Sequence, residues 1–192
     1  MGKLFVISGA SGVGKSTVLK QVMDARKDLS FSVSATTRAP RPGEVDGQSY
    51  YFITKARFEE MISRNEFLEY DAHMDNYYGT PEGQLEEKLK KGNVILDIEP
   101  NGAFNVRKRR SDAVLIFIAP PSLEELERRL RSRGDTSEEQ IRLRLDRVQW
   151  EMEQSRQYDY TVINDQVQTC ADKILTIIAI LKIILLYSDY SY

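Results

Sequence analysis

The segment Gly9-Ala10-Ser11-Gly12-Val13-Gly14-Lys15-Ser16 constrains the fold more than any other part of the chain. Its glycines permit positive φ angles, which let successive backbone N–H groups turn around an anion. The apolar run at residues 4–7 predicts a strand before this segment. The apolar spacing after it predicts a helix from Lys15, whose N-terminus favours the same anion. The pattern therefore predicts a phosphate-binding loop; the alternative is a glycine-rich turn with a surface lysine.

The residue types after the glycines specify the ligand further. Lys15 is expected to contact the β- and γ-phosphates of a nucleoside triphosphate, and the Ser16 hydroxyl to help hold Mg²⁺. The residues expected to bind the triphosphate in this segment are Gly9, Ala10, Ser11, Gly12, Val13, Gly14, Lys15, Ser16 and Thr17.

Composition excludes several other classes of protein. A chain of 192 residues favours one domain, with room for a small insertion. The net charge is −2, so no basic field predicts a nucleic-acid partner. The single cysteine, Cys170, and the absence of an apolar signal stretch at the N-terminus predict a cytoplasmic location without a membrane. One histidine, His73, predicts no zinc site.

Strand-like and helix-like segments alternate, which predicts an α/β fold with a parallel sheet and helices on both faces. The expected strands cover residues 3–8, 30–35, 94–98, 114–118 and 160–163. The expected helices cover residues 15–26, 83–91, 122–132, 137–155 and 168–186. From about residue 34 to 78 the alternation breaks, with short β-like runs at 50–53 and 67–72. That stretch is the candidate insertion.

A proline-stiffened loop at residues 34–44 concentrates hydroxyl groups and two arginines. Arg38 and Arg41 could both bind one phosphate, because guanidinium groups bind phosphate in a bidentate manner. Tyr50, Tyr77 and Tyr78 could add phenolic donors to the same site. The alternative is that the two arginines are simply solvated.

Four segments together resemble the guanylate kinase family: residues 8–16, 31–44, 76–81 and 163–165. The resemblance runs from about residue 3 to 186. It implies Mg²⁺-dependent transfer of a phosphoryl group from ATP to GMP. It also implies a core at residues 1–33 and 82–192, a lid at about 124–155 and a GMP-binding insertion at 34–81.

The same resemblance assigns roles to individual residues. The implied GMP-binding residues are Ser34, Arg38, Arg41, Tyr50, Glu69, Tyr78, Thr80 and Glu99. The implied catalytic residues are Lys15, Arg38, Arg41, Arg133 and Arg144. Arg133, Asn164 and Asp165 are also implied in ATP binding, and Asp97 is the candidate that joins Ser16 in organising Mg²⁺.

A carboxylate at position 69 suits guanine chemically. The guanine edge presents N1–H and N2–H₂ as neighbouring donors, and an ionised carboxylate presents two acceptors. Adenine presents a bare N1 acceptor there, which a carboxylate would repel. The chain departs from the usual family pattern at Pro100-Asn101-Gly102 and at residues 70–75, so the geometry around Glu99 is not fixed by the resemblance.

Two other functions are consistent with parts of this pattern. One is a protein-interaction module that has lost catalysis, against which the intact Lys15, Ser16, Asp97, Arg133 and Arg144 argue. The other is a kinase for a different nucleoside monophosphate, against which Ser34, Glu69 and Thr80 argue. The run at residues 174–186 is apolar on nearly all sides, which predicts a core-packed terminal helix with surplus apolar surface. That surface is a candidate subunit contact, and the oligomeric state is left undecided.

Overall fold

A computed structural model of the protein describes residues 2–73, 75–132 and 138–188. The chain divides into two compact units. The first unit comprises residues 1–7 and 28–115, and the second comprises residues 8–27 and 116–192.

The main sheet has five strands in the order β2-β7-β1-β8-β9. Strand β7 runs parallel to β1 and β2, and β9 runs parallel to β8. Every residue of β1 and β8 is buried, as expected for strands covered on both faces. The predicted α/β fold with a parallel sheet is confirmed. The strands are β1 (Leu4–Gly9), β2 (Ser30–Ser32), β7 (Val94–Asp97), β8 (Val114–Ala119) and β9 (Tyr160–Ile163).

The first unit also contains a four-stranded sheet in the order β4-β3-β6-β5. Strand β6 pairs antiparallel with both β3 and β5, whereas β3 and β4 are parallel. A small core of Ala35, Phe58, Met61 and Phe67 holds this sheet to α2. These elements are β3 (Ala35–Thr36), β4 (Tyr51–Phe52), α2 (Lys55–Ser63), β5 (Phe67–His73), β6 (Asn76–Pro81), α3 (Glu82–Lys91) and α4 (Pro100–Arg109).

Two sequence-based expectations are wrong in this unit. The single strand expected at residues 30–35 is two strands, because the chain leaves the main sheet after Ser32 and joins the second sheet at Ala35. Helices α2 and α4 were not among the predicted helices. Each carries a recognisable start signal: the Thr54 hydroxyl caps α2 by accepting from the Arg57 N–H at 3.2 Å, and Pro100 begins α4.

The second unit contains α1 (Lys15–Ala25), α5 (Leu123–Ser132), α6 (Glu138–Gln154), a short 3₁₀ turn at Ser155–Gln157 and α7 (Val167–Ser188). Helix α7 packs against α1 and β9. Cys170, Ile174 and Ile178 are fully buried whereas Ile180 is 50% exposed, so the predicted core packing of the terminal helix is confirmed for one face of its described length. The surplus apolar surface as a subunit contact stays a prediction. No helix within the described ranges has the length and hydropathy needed to cross a membrane.

All four strands of the second sheet, together with α2, lie within residues 34–81. The proposed boundaries of the core, the lid and the insertion stay predictions. Arg133 and part of the predicted lid, at residues 133–137, lie outside the described residues.

Candidate active site

The predicted phosphate-binding loop lies between β1 and α1. Gly12 and Gly14 have φ angles of 84° and 92°, the left-handed region that favours glycine. Helix α1 begins at Lys15, with no side chain capping its first turn and no acidic residue there. The positive end of the helix dipole therefore faces the loop, and no acidic side chain in the first turn of α1 neutralises it. Lys15 is half-buried, and Ser16 and Thr17 are exposed.

Two buried side chains from distant parts of the second unit fix the shape of this loop. The Ser11 N–H donates to Glu151 Oε2 of α6 at 2.8 Å, and Arg147 Nε donates to Glu151 Oε1 at 2.9 Å. On the other side, Asn164 Nδ2 donates to the Val13 carbonyl at 2.7 Å. The loop thus has an ordered backbone held from both α6 and the end of β9.

Asn164 and Asp165, the two residues implied in ATP binding after β9, differ in burial and contacts. Asn164, implied in ATP binding, is buried and its side-chain amide supports the loop backbone, while Asp165 beside it is exposed. Glu151 was not predicted at all. Nothing in its sequence context marks it, because α6 is rich in glutamate and only the burial of this one distinguishes it.

Arg144, the described lid arginine, lies in α6 and is half-buried. It therefore belongs to the same compact unit as the phosphate-binding loop.

In the first unit, three residues that the family resemblance implies in GMP binding come together, namely Arg38, Tyr50 and Tyr78. The Arg38 guanidinium carbon lies 5.4 Å from the centre of the Tyr50 ring, and the Tyr50 and Tyr78 rings are 6.1 Å apart. Arg38 and Tyr78 also interact, which contributes to raising the pKa of Arg38, after the larger effect of its hydrogen bonds to Glu44. Arg41, which is also implied in GMP binding, is exposed. The arrangement is a cationic and phenolic cluster of the kind that binds a phosphate.

The predicted base-binding residues form a buried pair across β5 and β6. Glu69 and Thr80 are register partners, and the Thr80 hydroxyl donates to Glu69 Oε1 at 2.6 Å. Glu69 is only 6% exposed. Burial raises the pKa of its carboxyl group to about 7, the Thr80 hydrogen bonds oppose the rise, and the nearby Asp71 adds to it. Ser34 is also buried in this unit.

Helix α4 approaches this carboxylate closely. A Cβ at Gly102 would lie 2.8 Å from Glu69 Oε2, so only glycine leaves the carboxylate its present position. In the sequence, Gly102 belongs to the segment Pro100-Asn101-Gly102, which departs from the usual family pattern. Its role follows from the close approach of α4 to Glu69 in the folded chain. The structure thus adds Gly102 to the residues that shape the surroundings of Glu69, a predicted base-binding residue.

Asp97 and Glu99 follow β7 at its carboxyl end. Asp97 is half-buried and pairs in register with Ile7, so it lies at the carboxyl end of its own strand. Ligands of open α/β sheets bind at this carboxyl edge. Glu99 is exposed and occupies the N-cap position of α4 without a side-chain capping bond.

The geometry first defines a class. A parallel sheet whose first strand leads through a glycine loop into a helix beginning with Lys-Ser is the architecture of P-loop nucleotide-binding proteins.

Comparison with known proteins defines the family. The family model described as guanylate kinase matches residues 1–180. A guanylate kinase of Oceanobacillus iheyensis is 48% identical over 178 residues, covering 92% of this chain and 86% of the relative. One from Prochlorococcus marinus subsp. pastoris is 46% identical and covers 92% and 96% respectively. A crystal structure of guanylate kinase from Anaplasma phagocytophilum has a TM-score of 0.76 and 33% identity, covering 93% of this chain and 85% of that one. The chain belongs to the guanylate kinase family.

Proposed function

We propose that this protein transfers the γ-phosphoryl group of ATP to GMP, giving ADP and GDP. Membership of the guanylate kinase family supports the reaction. The observation that carries the choice of acceptor is the buried Glu69–Thr80 pair. An ionised Glu69 would accept from guanine N1–H and N2–H₂, whereas the same carboxylate would face the N1 lone pair of adenine.

The acceptor phosphate is proposed to bind at the cluster of Arg38, Tyr50 and Tyr78, with Arg41 reaching it from the exposed side of the loop. Arginine suits this task because its planar donors match the oxygens of a phosphate. Ser34 and Glu99 complete the proposed GMP-binding set. Binding the phosphate and the base in one unit fixes the attacking oxygen relative to the base, which is the positioning that phosphoryl transfer requires.

The donor triphosphate is proposed to bind at the loop of residues 9–17. In the reaction, an oxygen of the GMP phosphate attacks the γ-phosphorus and the bond from that phosphorus to the leaving ADP oxygen breaks. Lys15 is proposed to stabilise the negative charge on the transferring group. Arg144 of α6 and Arg133 are proposed to add positive charge there, and Asn164 and Asp165 to lie near the adenine.

The residues present fit a magnesium ion. Mg²⁺ prefers oxygen ligands and keeps several waters, relying on one or two side chains together with substrate phosphates. No group of three or more His, Cys, Asp or Glu side chains that could hold a metal occurs among the described residues. Ser16 and Asp97 are the proposed protein contributions, directly or through water. The bound ion would neutralise charge on the ATP phosphates.

The location and the binding partners of the protein are also proposed. A cytoplasmic location is supported by the single cysteine, which is buried. ATP and GMP are the proposed partners, and nucleic acid and membrane are not expected.

The decisive experiment is a coupled assay for ADP release with ATP, Mg²⁺ and each of GMP, dGMP, AMP, CMP and UMP. We expect turnover with GMP to exceed that with AMP, CMP and UMP by ~10⁴ in kcat/KM, as is typical of sites that leave buried polar groups unpaired with the wrong substrate. Absence of turnover with every acceptor would instead identify a binding module. Better turnover of AMP than of GMP would refute the role given to Glu69.

A further inference from the structure

Glu44 binds Arg38 through a forked pair of hydrogen bonds. Arg38 Nη1 donates to Glu44 Oε2 and Nη2 donates to Oε1, both at 2.8 Å. Both side chains are largely sheltered, with 14% and 21% of their surfaces exposed. Such sheltered bidentate pairs are stronger and better defined than ordinary surface ion pairs.

The same carboxylate also fixes the backbone of the loop. The Arg41 N–H donates to Glu44 Oε2 at 2.7 Å, and the Glu44 N–H donates back to the Arg41 carbonyl at 3.0 Å. Gly43 completes the turn with a φ of 84°. A single side chain is thus bound to both arginines that are proposed to hold the acceptor phosphate, one through its side chain and one through its backbone.

Aromatic rings complete the support of Arg38. Its guanidinium carbon lies 5.4 Å from the centre of the Tyr50 ring and 5.7 Å from that of Phe52. Arg38 Nη1 donates in addition to the Ala39 carbonyl at 2.7 Å. Together these contacts leave the guanidinium one orientation.

Glu44 could act on a bound phosphate in two opposite ways. As an anion it could compete for the guanidinium, or as an anchor it could orient it. A guanidinium has five N–H donors on two edges, and Glu44 uses only the fork formed by Nη1 and Nη2. The hydrogen bonds of Arg38 to Glu44 and to the Ala39 carbonyl use Nη1 and Nη2, and the Tyr78 side chain forms a further hydrogen bond with the same guanidinium. Neither Glu44 nor Ala39 engages the Nε edge, which is therefore the edge that a phosphate can approach beside Tyr78, a second proposed phosphate ligand.

We propose that Glu44 is a positioning residue for the acceptor phosphate, which holds Arg38 by one edge so that its other edge is presented to the phosphate of GMP. This inference rests on the proposed function. Arg38 and Arg41 keep Glu44 ionised, since the Arg38 hydrogen bonds and then the Arg41 backbone N–H lower its pKa to about 2. The orienting effect is therefore constant across the physiological pH range. An arginine that is already ordered loses less rotamer freedom on binding, which is worth about tenfold in affinity.

The test is the binding of GMP and of guanosine to the full chain, measured by titration calorimetry in the wild type and in Glu44→Gln. We expect Glu44→Gln to weaken GMP binding about tenfold and to leave guanosine binding unchanged, because guanosine has no phosphate. In steady-state assays the KM for GMP should rise while the KM for ATP stays constant. Unchanged guanosine binding also shows that the variant is folded around the base-binding site.

The matched control is Glu60→Gln. Glu60 also pairs with an arginine of the same unit, at 2.7 Å from Arg57 Nη1, but in α2 rather than in the proposed phosphate site. It should bind both ligands as the wild type does. A double-mutant cycle with Arg38→Lys adds a second readout: if Glu44 acts through Arg38, the double variant loses little more than Arg38→Lys alone.

Three outcomes would overturn the inference. Equal or tighter GMP binding by Glu44→Gln would make the carboxylate a competitor or a bystander. Equal losses for GMP and guanosine, or for both glutamate variants, would make its role generally structural. Wild-type protein that binds neither ligand would refute the proposed function and the inference with it, whereas wild-type binding of GMP with an unaffected variant refutes the inference alone.

Discussion

Replacing Glu69 by glutamine should make the protein more stable at alkaline pH and not at acid pH. Burial raises the pKa of this carboxyl group from 4.5 to about 7. Between these values the folded protein keeps a proton that the unfolded chain has lost, so the free energy of unfolding falls as the pH rises through this range. At about 1.36 kcal/mol for each pH unit, the cost of the ionised group reaches about 3 kcal/mol at pH 8 and is less than about 1 kcal/mol at pH 5.

Glutamine removes this cost because it carries no charge, and its carbonyl oxygen can still accept from the Thr80 hydroxyl. The measurement is urea unfolding of the wild type and Glu69→Gln, followed by far-ultraviolet circular dichroism at pH 5 and pH 8. The gain in free energy of unfolding should be larger at pH 8 than at pH 5 by about 2.5 kcal/mol. Comparing the two pH values cancels any effect of the substitution that does not depend on pH.

Glu59→Gln is the control, because Glu59 is an exposed glutamate of α2 in the same unit. It should show no difference between the two pH values. If Glu69→Gln changed the free energy of unfolding equally at both pH values, the assignment of a raised pKa to a buried Glu69 would be refuted. The expected result would also mean that Glu69 is retained at a cost in stability, which its proposed role in binding the base explains.

Three further predictions concern binding and turnover. Guanosine affinity should be about tenfold weaker at pH 6 than at pH 8, because only the ionised form of Glu69 accepts two hydrogen bonds. Guanosine is used because it has no phosphate that titrates in this range. An affinity that does not change between the two pH values would contradict the mechanism. Gly102→Ala should weaken guanosine binding about tenfold by displacing the Glu69 carboxylate from a Cβ 2.8 Å away, without loss of helix stability. Calorimetry should show no change for Gly83→Ala, whose Cβ would meet nothing within 4 Å, and a similar loss in both variants would count against the steric argument. Lys15→Ala should lower kcat about 10²-fold or more in the coupled assay, because it removes a charge proposed to stabilise the transferring group. Lys20→Ala, on the exposed face of the same helix, should leave kcat unchanged. Wild-type turnover by Lys15→Ala would refute the role given to Lys15.

The parts of the fold that could be predicted are those specified by neighbouring residues. The loop of residues 9–16 and the strand and helix beside it follow from local glycine conformations and apolar spacing, and the structure confirms β1, the loop and α1. Helix α2 could also have been found, since Thr54 supplies an N-cap before Phe58 and Met61 at helical spacing. The break after Ser32 could not, because residues 30–35 remain strand-like throughout and only the choice of pairing partner separates the two strands.

Site residues divide in the same way. Arg38, Tyr50 and Tyr78 were predicted from sequence, and the structure brings them together. Glu44, Gly102 and Glu151 were not assigned roles. Each acts through a tertiary contact rather than through its residue type. Glu44 forms paired hydrogen bonds with Arg38, Gly102 lies close to Glu69, and Glu151 accepts a buried hydrogen bond from the loop.

The sequence by itself determined which chemistry can be proposed for this protein: a loop expected to bind phosphate, arginines expected to bind a second phosphate and a carboxylate suited to guanine. Those features depend on residue type and short spacing, which the chain carries before it folds. The tertiary structure alone decided the state of these groups. Burial among β5, β6 and α4 raises the pKa of Glu69 to about 7, and the nearby Asp71 adds to the rise. The loop is held in shape by Glu151, which is 140 residues away in the chain and buried against the Ser11 N–H, and by Asn164 on the other side. Desolvation and pairing depend on neighbours in space, and these become neighbours only when the chain folds.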